Sequence, residues 1–444
     1  MKGYNTYKDS GFEWIGKIPE NWQTIQLIHY TSVIGGSTPK SNVQEYWDGE
    51  INWITTDDLG KVKGKTINHS RRTITKEGLA NCSASLIKAN SVIISCRAPI
   101  GHLAINTVET ATNQGCKAIE IIKGLKTEYL YYYLFHAKAD LQSLGTGSTF
   151  MEISASILKK YKILKPSLIE QTKIANYLDH KTAIIDALIE KKEQLIQKLQ
   201  AKRQAIINEA ITKGLNPNAK MKDSGIEWLG EIPEHWFMVK LTWLTEFITC
   251  GLAATPKYVE DDEGVPFLSA QNVKPGIIKL HKYRFISKEL HQKLTKIRKP
   301  QKGDLLVTRV GAGIGEAAVV DIDFEFSVYV SLTHIRTNEK LFTPFLMYFF
   351  ATEYAKNLAL QGTVEGGGQG NLNVKNVENY RIALPTLEEQ KNIVETLNTS
   401  LKKIDGVIKQ SEQSIKKLKS YRESIISEAV TGKIDVRDWQ APKA

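Results

Sequence analysis

Residues 8–22 read KDSGFEWIGKIPENW, and residues 222–236 read KDSGIEWLGEIPEHW, 222 − 8 = 214 positions later. Pro166–Gln171 (PSLIEQ) returns as Pro385–Gln390 (PTLEEQ), 385 − 166 = 219 positions later. This doubling constrains the fold more than any other feature. The chain must build one arrangement twice, like a dimer fused head to tail. Two fused but unequal halves can read two different things at a fixed distance.

Each half has the same order of parts. The Trp-Ile/Leu-Gly and Ile-Pro-Glu-x-Trp opening comes first, with Trp14 and Trp22, or Trp228 and Trp236, expected as core anchors. A Gly/Thr/Pro turn follows, Gly35–Ser41 or Gly251–Lys257. Next come short β-type runs, INWITTDDL at Ile51–Leu59 and VPFLSAQNV at Val265–Val273. Their apolar positions agree in type while the polar tips differ, Thr56-Asp57-Asp58 against Ala270-Gln271-Asn272. Ser91–Ala104 and Asp304–Ala318 alternate around Gly-containing bends and predict hairpins. Aromatic helices are expected over Glu128–Leu144 and Pro344–Leu360, with Tyr129, Tyr132 and Tyr133 as core residues. Gly-rich loops then lead to Pro166 and Pro385.

The two stretches after those prolines carry helical periodicity without insertion. Leu178, Ile185, Leu199 and Ile206 form one seam, and Ile174, Leu188 and Leu195 the other, with Lys181, Lys192 and Lys202 interrupting. Adding 219 gives Leu397, Ile404, Leu418 and Ile425, then Ile393, Val407 and Ser414. A helix from Ser167 to Lys213 has 213 − 167 + 1 = 47 residues, about 70 Å at ~1.5 Å per residue. Its apolar stripe needs a partner, and its own repeat is the nearest one. The expected fold is therefore α+β: two β-rich globular domains separated by two long helices that form an antiparallel coiled coil with pseudo-twofold symmetry. The expected divisions are residues 1–166, 167–214, 215–384, 385–432 and a tail at 433–444.

No catalytic set emerges. Gly311–Gly315 reads GxGxG, lacks the spacing of a dinucleotide fingerprint and runs on into strand-like sequence. There is no GxxxxGK[ST] loop and no Asn/Asp-Pro-Pro-Tyr/Phe motif. Cys82, Cys96, Cys116 and Cys250 form no CxxC, and His69, His102, His281 and His334 lack metal-ligand spacing. Asp261-Asp262-Glu263 reads as a solvated turn. No segment has membrane-spanning character and no apolar signal core opens the chain, so a cytoplasmic location is expected.

The charge points to a polyanion: Lys+Arg 59 against Asp+Glu 48, a net +11. Basic residues cluster in both halves, including Lys61, Lys63, Lys65, Arg71 and Arg72, and Lys257, Lys279, Lys282, Arg284, Lys296, Arg298 and Lys299. Phosphate contacts give affinity and register; bases are read by polar side chains on a rigid platform. The candidate DNA-contacting residues are Thr38, Lys40, Thr56, Asp57, Arg71, Arg72 and Arg97 in the first half. In the second they are Lys257, Gln271, Asn272, Arg309, Gln369 and Asn371.

In this doubled order, Gly11-x-Glu-Trp-x-Gly16 with Ile18-Pro-Glu-x-Trp22, and Pro166–Gln171 followed by Ile174-Ala-x-x-Leu178-Asp179, resemble the specificity subunit of type I restriction–modification systems over essentially the full length. The second copy reads Ile393-Val-x-x-Leu397-Asn398, with Asn in place of Asp. The resemblance implies two target recognition domains, each reading half of a bipartite double-stranded DNA site. It implies helices that set the spacer and dock two modification subunits, with restriction subunits added. It places S-adenosylmethionine, ATP and Mg on those partners and none in this chain. The alternative reading is a single-chain DNA methyltransferase or nuclease with internal recognition domains.

Overall fold

Strand pairing follows one plan in both halves. The computed structural model describes residues 2–146, 151–227, 229–261, 263–311, 313–361 and 372–442. In the first half, Thr31–Gly35, Cys116–Ile121, Val92–Ser95 and Leu103–Asn106 lie side by side, extended at the edge by Thr66–Ile67. In the second, Thr245–Cys250, Leu332–Thr337, Leu305–Thr308 and Ala317–Val319 stand in the same order. Both expected hairpins form, Val92–Ser95 with Leu103–Asn106 and Leu305–Thr308 with Ala317–Val319. A smaller sheet accompanies each. Trp47–Ile54 pairs antiparallel with Thr73–Ile74 and parallel with Thr110–Thr112; Gly264–Leu268 pairs antiparallel with Arg284–Ser287 and parallel with Ser327–Val328.

The runs after Ile54 and Leu268 are not strand. Thr56–Gly60 is a short helix and Ala270–Asn272 a 3-10 turn. Each is closed by a capping box. Asp58 Oδ2 accepts from the Thr55 N–H (2.9 Å) while Thr55 Oγ1 accepts from the Asp58 N–H (3.3 Å); Ser269 and Asn272 repeat the device. A hydroxyl followed three residues on by a short polar acceptor satisfies orphan N–H groups and turns the chain out of the strand.

The long helices run Leu168–Lys213 and Leu387–Val430. The chain divides into two units, Met1–Lys192 with Gln413–Ala444, and Glu193–Glu412. Each unit therefore holds one β-rich module, the opening part of one long helix and the closing part of the other. Within each, the segments pair antiparallel. In unit 1, Ile174, Leu178 and Ile185 share a core with Ile425, Ile426 and Ala429, and Arg422 bridges Asp186 at 2.9 Å. In unit 2, Ile207, Ala210 and Ile211 share a core with Ile393, Leu397 and Leu401, and Arg203 bridges Asp405 at 3.0 Å. The Leu178 seam faces inward as expected. The other seam is covered only near the helix starts: Ile174 and Ile393 are fully buried, while Leu188, Leu195 and Val407 further along are exposed at 43%, 41% and 43%.

The doubled motifs meet where a helix ends. Trp22 is fully buried, donates to Glu170 Oε1 (3.3 Å), and lies against Gly432, the left-handed cap of the second helix. Trp236 donates to Glu389 Oε1 (3.1 Å) and lies against Gly214, the left-handed cap of the first. A Cβ on Gly432 would sit 2.4 Å from Pro19 Cδ, so the cap needs glycine for space as well as for φ. Beside these glutamates, Gln171 accepts from the Lys126 N–H and donates to Gly124 and Pro166 carbonyls, and Gln390 does the same with Phe342, Lys340 and Pro385. Each glutamine ties its helix start to the loop before the aromatic helix, Thr127–His136 or Thr343–Ala351. Tyr129, Tyr132 and Tyr133 are buried there. Trp14 is not a core anchor: it is 39% exposed, resting on Phe12 and His136. Trp228 lies outside the described residues.

Candidate nucleic-acid interface

In unit 1 the candidate residues converge on the turn that follows the parallel strand Thr110–Thr112. Asn113 N–H donates to Ile54 O (3.0 Å), which brings the 113–115 turn beside Thr56; a Cβ on Gly115 would lie 3.1 Å from Thr56 Cγ2. Ser37 N–H donates to Thr112 O (2.9 Å), and the Thr38 hydroxyl donates to Gln114 Oε1. Gly36 makes that approach possible, since a Cβ there would stand 2.1 Å from Asn113 O. Cys96 N–H donates to Gly115 O (2.7 Å), which sets Arg97 at the same edge. Two indoles fasten the Gly/Thr/Pro turn below: Trp53 donates to Ser37 O (2.9 Å) and Trp47 to Lys40 O (3.1 Å).

The side chains at this edge differ in how free they are. Asp57 is exposed, and Lys61 is its one ion-pair partner among the described residues, at 3.7 Å. Arg71 is exposed and held by its backbone, its N–H donating to Asp58 Oδ1 (3.0 Å). Arg72 sits over Trp47, its guanidinium carbon 3.5 Å from the ring centre. Arg97 donates to Glu152 Oε2 (2.8 Å), and Glu152 also takes the buried Lys117 ammonium (3.3 Å). Burial pushes the Glu152 carboxyl up, but the Arg97 and Lys117 hydrogen bonds outweigh it and hold it below the usual range.

Unit 2 places the same frame around Tyr329, whose N–H donates to Leu268 O (2.8 Å) as Asn113 does to Ile54. Gly251 repeats the role of Gly36, a Cβ there falling 1.9 Å from Val328 O. The Thr255 and Tyr329 hydroxyls are 3.4 Å apart, and Lys257 is exposed on the same turn. Gln271 is exposed and donates to Lys282 O (2.7 Å), leaving its amide oxygen free of any protein donor among the described residues. A cleft of about 250 Å³ opens here between Gln271, Arg284, Tyr258 and Tyr329.

Two expected readers are structural. Asn272 is fully buried; its amide caps the 3-10 turn and donates to Lys279 O (3.0 Å) and His281 O (3.3 Å). Arg309 is 8% exposed, and its guanidinium donates to Leu372 O (2.8 Å) and Val330 O (3.0 Å). The strand ladder explains this. Ser95 pairs with Cys116 and Thr308 with Leu332, so Arg309 stands at the position of buried Cys96, one residue before that of Arg97. Gln369 and Asn371 lie outside the described residues. Sequence reasoning passed over Asn113, Gln114 and Tyr329, and it listed Arg284 only among generic cations. Their signal is strand register: Trp53 takes the carbonyl of Arg72, and Phe267 lies opposite Arg284.

Among the described residues no group of three or more His, Cys, Asp or Glu is placed to hold a metal, and no helix is long and apolar enough to cross a membrane.

A family model described as the type I restriction modification DNA specificity domain matches twice, at residues 19–198 and 233–417. The type I restriction enzyme MjaIX specificity subunit of Methanocaldococcus jannaschii is 28% identical over 436 residues, covering 96% of each chain. The EcoKI specificity subunit of Escherichia coli K12 is 24% identical over 450 residues, covering 96% of this chain and 92% of the relative. Among solved structures, a chain from work on complex assembly and conformational transition of the type I R-M system superposes with a TM-score of 0.71 at 16% identity, covering 94% of this chain and 99% of the other. The HsdS subunit of Thermoanaerobacter tengcongensis gives 0.50 at 16% identity, covering 94% and 98%.

Proposed function

The chain belongs to the type I restriction modification DNA specificity family, with two copies of its domain, and on that premise we propose that it is the sequence-reading, noncatalytic subunit of a type I restriction–modification complex. Each β-rich module reads one half of a bipartite double-stranded DNA target, and the matched long helices set the unread gap and dock two modification subunits. S-adenosylmethionine, ATP and Mg act on the modification and restriction subunits, in the cytoplasm.

One observation carries the reading. The same backbone frame is built twice, and the polar groups at its rim differ: exposed Asp57 and Gln114 in one copy, exposed Gln271 and half-buried Tyr329 in the other. A frame held constant under changed polar tips suits two readers of different base sequences.

The test is to map methylated adenines in DNA from cells carrying the complete system, before and after replacing module 1 by that of a relative. The expected result is a two-part methylated sequence in which only one part changes. Change in both parts, or methylation without a gapped sequence, would refute the modular reading. Turnover of S-adenosylmethionine or cleavage of DNA by the purified chain alone would favour the single-chain enzyme instead.

A further inference from the structure

One constellation is the same in both units although its neighbours are not. In unit 1, Trp47 pairs opposite Ile74, and Arg72, two residues before Ile74, stacks on it at 3.5 Å. In unit 2, Tyr258 pairs opposite Ile286, and Arg284, two residues before Ile286, stacks on it at 4.6 Å. The guanidinium and the ring thus occupy equivalent ladder positions in both sheets. Both arginines are exposed, and neither has an acidic partner among the described residues. A guanidinium held over a ring is ordered before it meets a ligand, and its N–H donors remain available to one.

The surroundings show what that ligand is. Around the shelf, Asp57 is replaced by Gln271, Asn113 by Tyr329, Gln114 by Val330 and Cys96 by Arg309. Two modules whose rims differ this much meet different bases. The group they share must meet the part of the duplex that does not differ. The planar fork of Arg matches two phosphate oxygens.

We propose that Arg72 on Trp47 and Arg284 on Tyr258 are one duplicated DNA-phosphate clamp, fixing each module's register on the backbone while the rim residues read bases. The clamp rests on the DNA-binding function proposed above. It assigns Arg72 and Arg284 to affinity and positioning, and leaves base choice to Asp57, Gln114, Gln271 and Tyr329.

The experiment measures binding of the full-length chain, assembled with its modification subunits, to a target duplex and to a base-shuffled duplex across a salt series. Arg72→Ala and Arg284→Ala should each weaken binding roughly tenfold. The loss should be equal on both duplexes, and each variant should flatten the slope of log K against log salt by about 0.9. Arg72→Lys keeps the charge and loses the fork, so it should keep the wild-type slope with an intermediate loss. Both arginines are exposed, so losing the ring contact should lower the thermal midpoint only slightly. A change in the methylated sequence in either variant would overturn the phosphate assignment, as would unchanged affinity and slope while the unsubstituted complex binds. Absence of salt-dependent binding by the unsubstituted complex would instead bring down the proposed function, and the clamp with it.

Discussion

The two units fill the same sheet in opposite ways. At matching ladder positions, unit 1 has Ser91, Ala118 and Glu120 where unit 2 has Asp304, His334 and Arg336. In unit 1, Ala118 packs with Ile54, Ile93 and Cys116, while Glu120 accepts from the Lys88 N–H at the edge. In unit 2, Asp304 is 2% exposed and surrounded: His334 Nε2 at 2.6 Å, Arg336 Nε and Nη2 at 2.8 and 2.9 Å, and the Gln301 N–H at 2.9 Å. The backbone ladder is the shared design, and the interior can be apolar or ionic provided the exchange is complete. A half-made exchange is what the fold does not tolerate, because it strands a buried charge.

Asp304→Ala makes that half exchange. It leaves His334 and the inner edge of Arg336 without their acceptor, and should destabilise unit 2 by about 3–5 kcal/mol. Ser91→Ala in unit 1 removes a single hydroxyl that donates to Lys88 O and should cost about 1 kcal/mol. Hydrogen exchange of Leu305–Thr308 and of Val92–Ser95 reads the two effects separately. Equal losses would break the comparison.

Acid should separate the units as well. Burial, then the nearby Lys433 charge, pushes the His136 imidazole in unit 1 down to about 4, and burial moves His102 the same way. A histidine held neutral in the folded state costs stability when the unfolded chain can protonate. The unfolded state then binds more protons between roughly pH 6.5 and 4, so unit 1 loses stability as pH falls through that window, by up to about 3 kcal/mol for His136. Burial raises the Asp304 carboxyl, but its His334 and Arg336 hydrogen bonds outweigh that and hold it low. Its contribution in unit 2 persists until pH drops below about 4, where the unfolded carboxyl protonates. At pH 5, the protection factors of Val92–Ser95, corrected for the intrinsic pH dependence of exchange, should be lower than at pH 7.5 while those of Leu305–Thr308 are not. His136→Phe should remove most of that difference, and an unaltered pH profile in this variant would show that other groups set it.

Local signals made much of this legible in the sequence. Repetition marked the Trp and Pro-x-Leu-x-Glu-Gln motifs, period two marked the hairpins, and helical periodicity marked both long helices. What failed needed register. Asp57 and Asn272 both looked like strand-end tips, but the Thr55-x-x-Asp58 and Ser269-x-x-Asn272 spacings are caps, and they consume Asn272 while leaving Asp57 free. Arg309 and Arg97 looked alike until the ladder put Arg309 level with Cys96. The Arg72–Trp47 shelf joins residues 72 − 47 = 25 positions apart, and only strand pairing shows that Arg284 and Tyr258 repeat it. Leu188 and Leu195 satisfied a heptad whose second seam the observed packing covers only near the helix starts, at Ile174 and Ile393.

The smallest difference between the units is the one the sequence displayed openly, Asp179 against Asn398. Both side chains do the same work for the aromatic helix: Tyr132 donates to Asp179 Oδ1 and Tyr348 to Asn398 Oδ1, each at 2.7 Å. The charge at Asp179 has a further use, because Lys65 Nζ stands 2.6 Å from the same oxygen. That pair is partly exposed, with side chains 28% and 37% accessible, which limits its worth to at most about 1 kcal/mol. Asp179→Asn keeps the tyrosine's acceptor and loses only the ion pair, so it should lower the stability of unit 1 by less than about 1 kcal/mol. The loss should shrink further in high salt, where the pair is screened. Asp179→Ala removes the acceptor from Tyr132 as well and should cost more, with no such salt dependence in the added part. If Asp179→Asn and Asp179→Ala destabilise equally, the carboxylate is there for Lys65, and the match with Asn398 is only one of position.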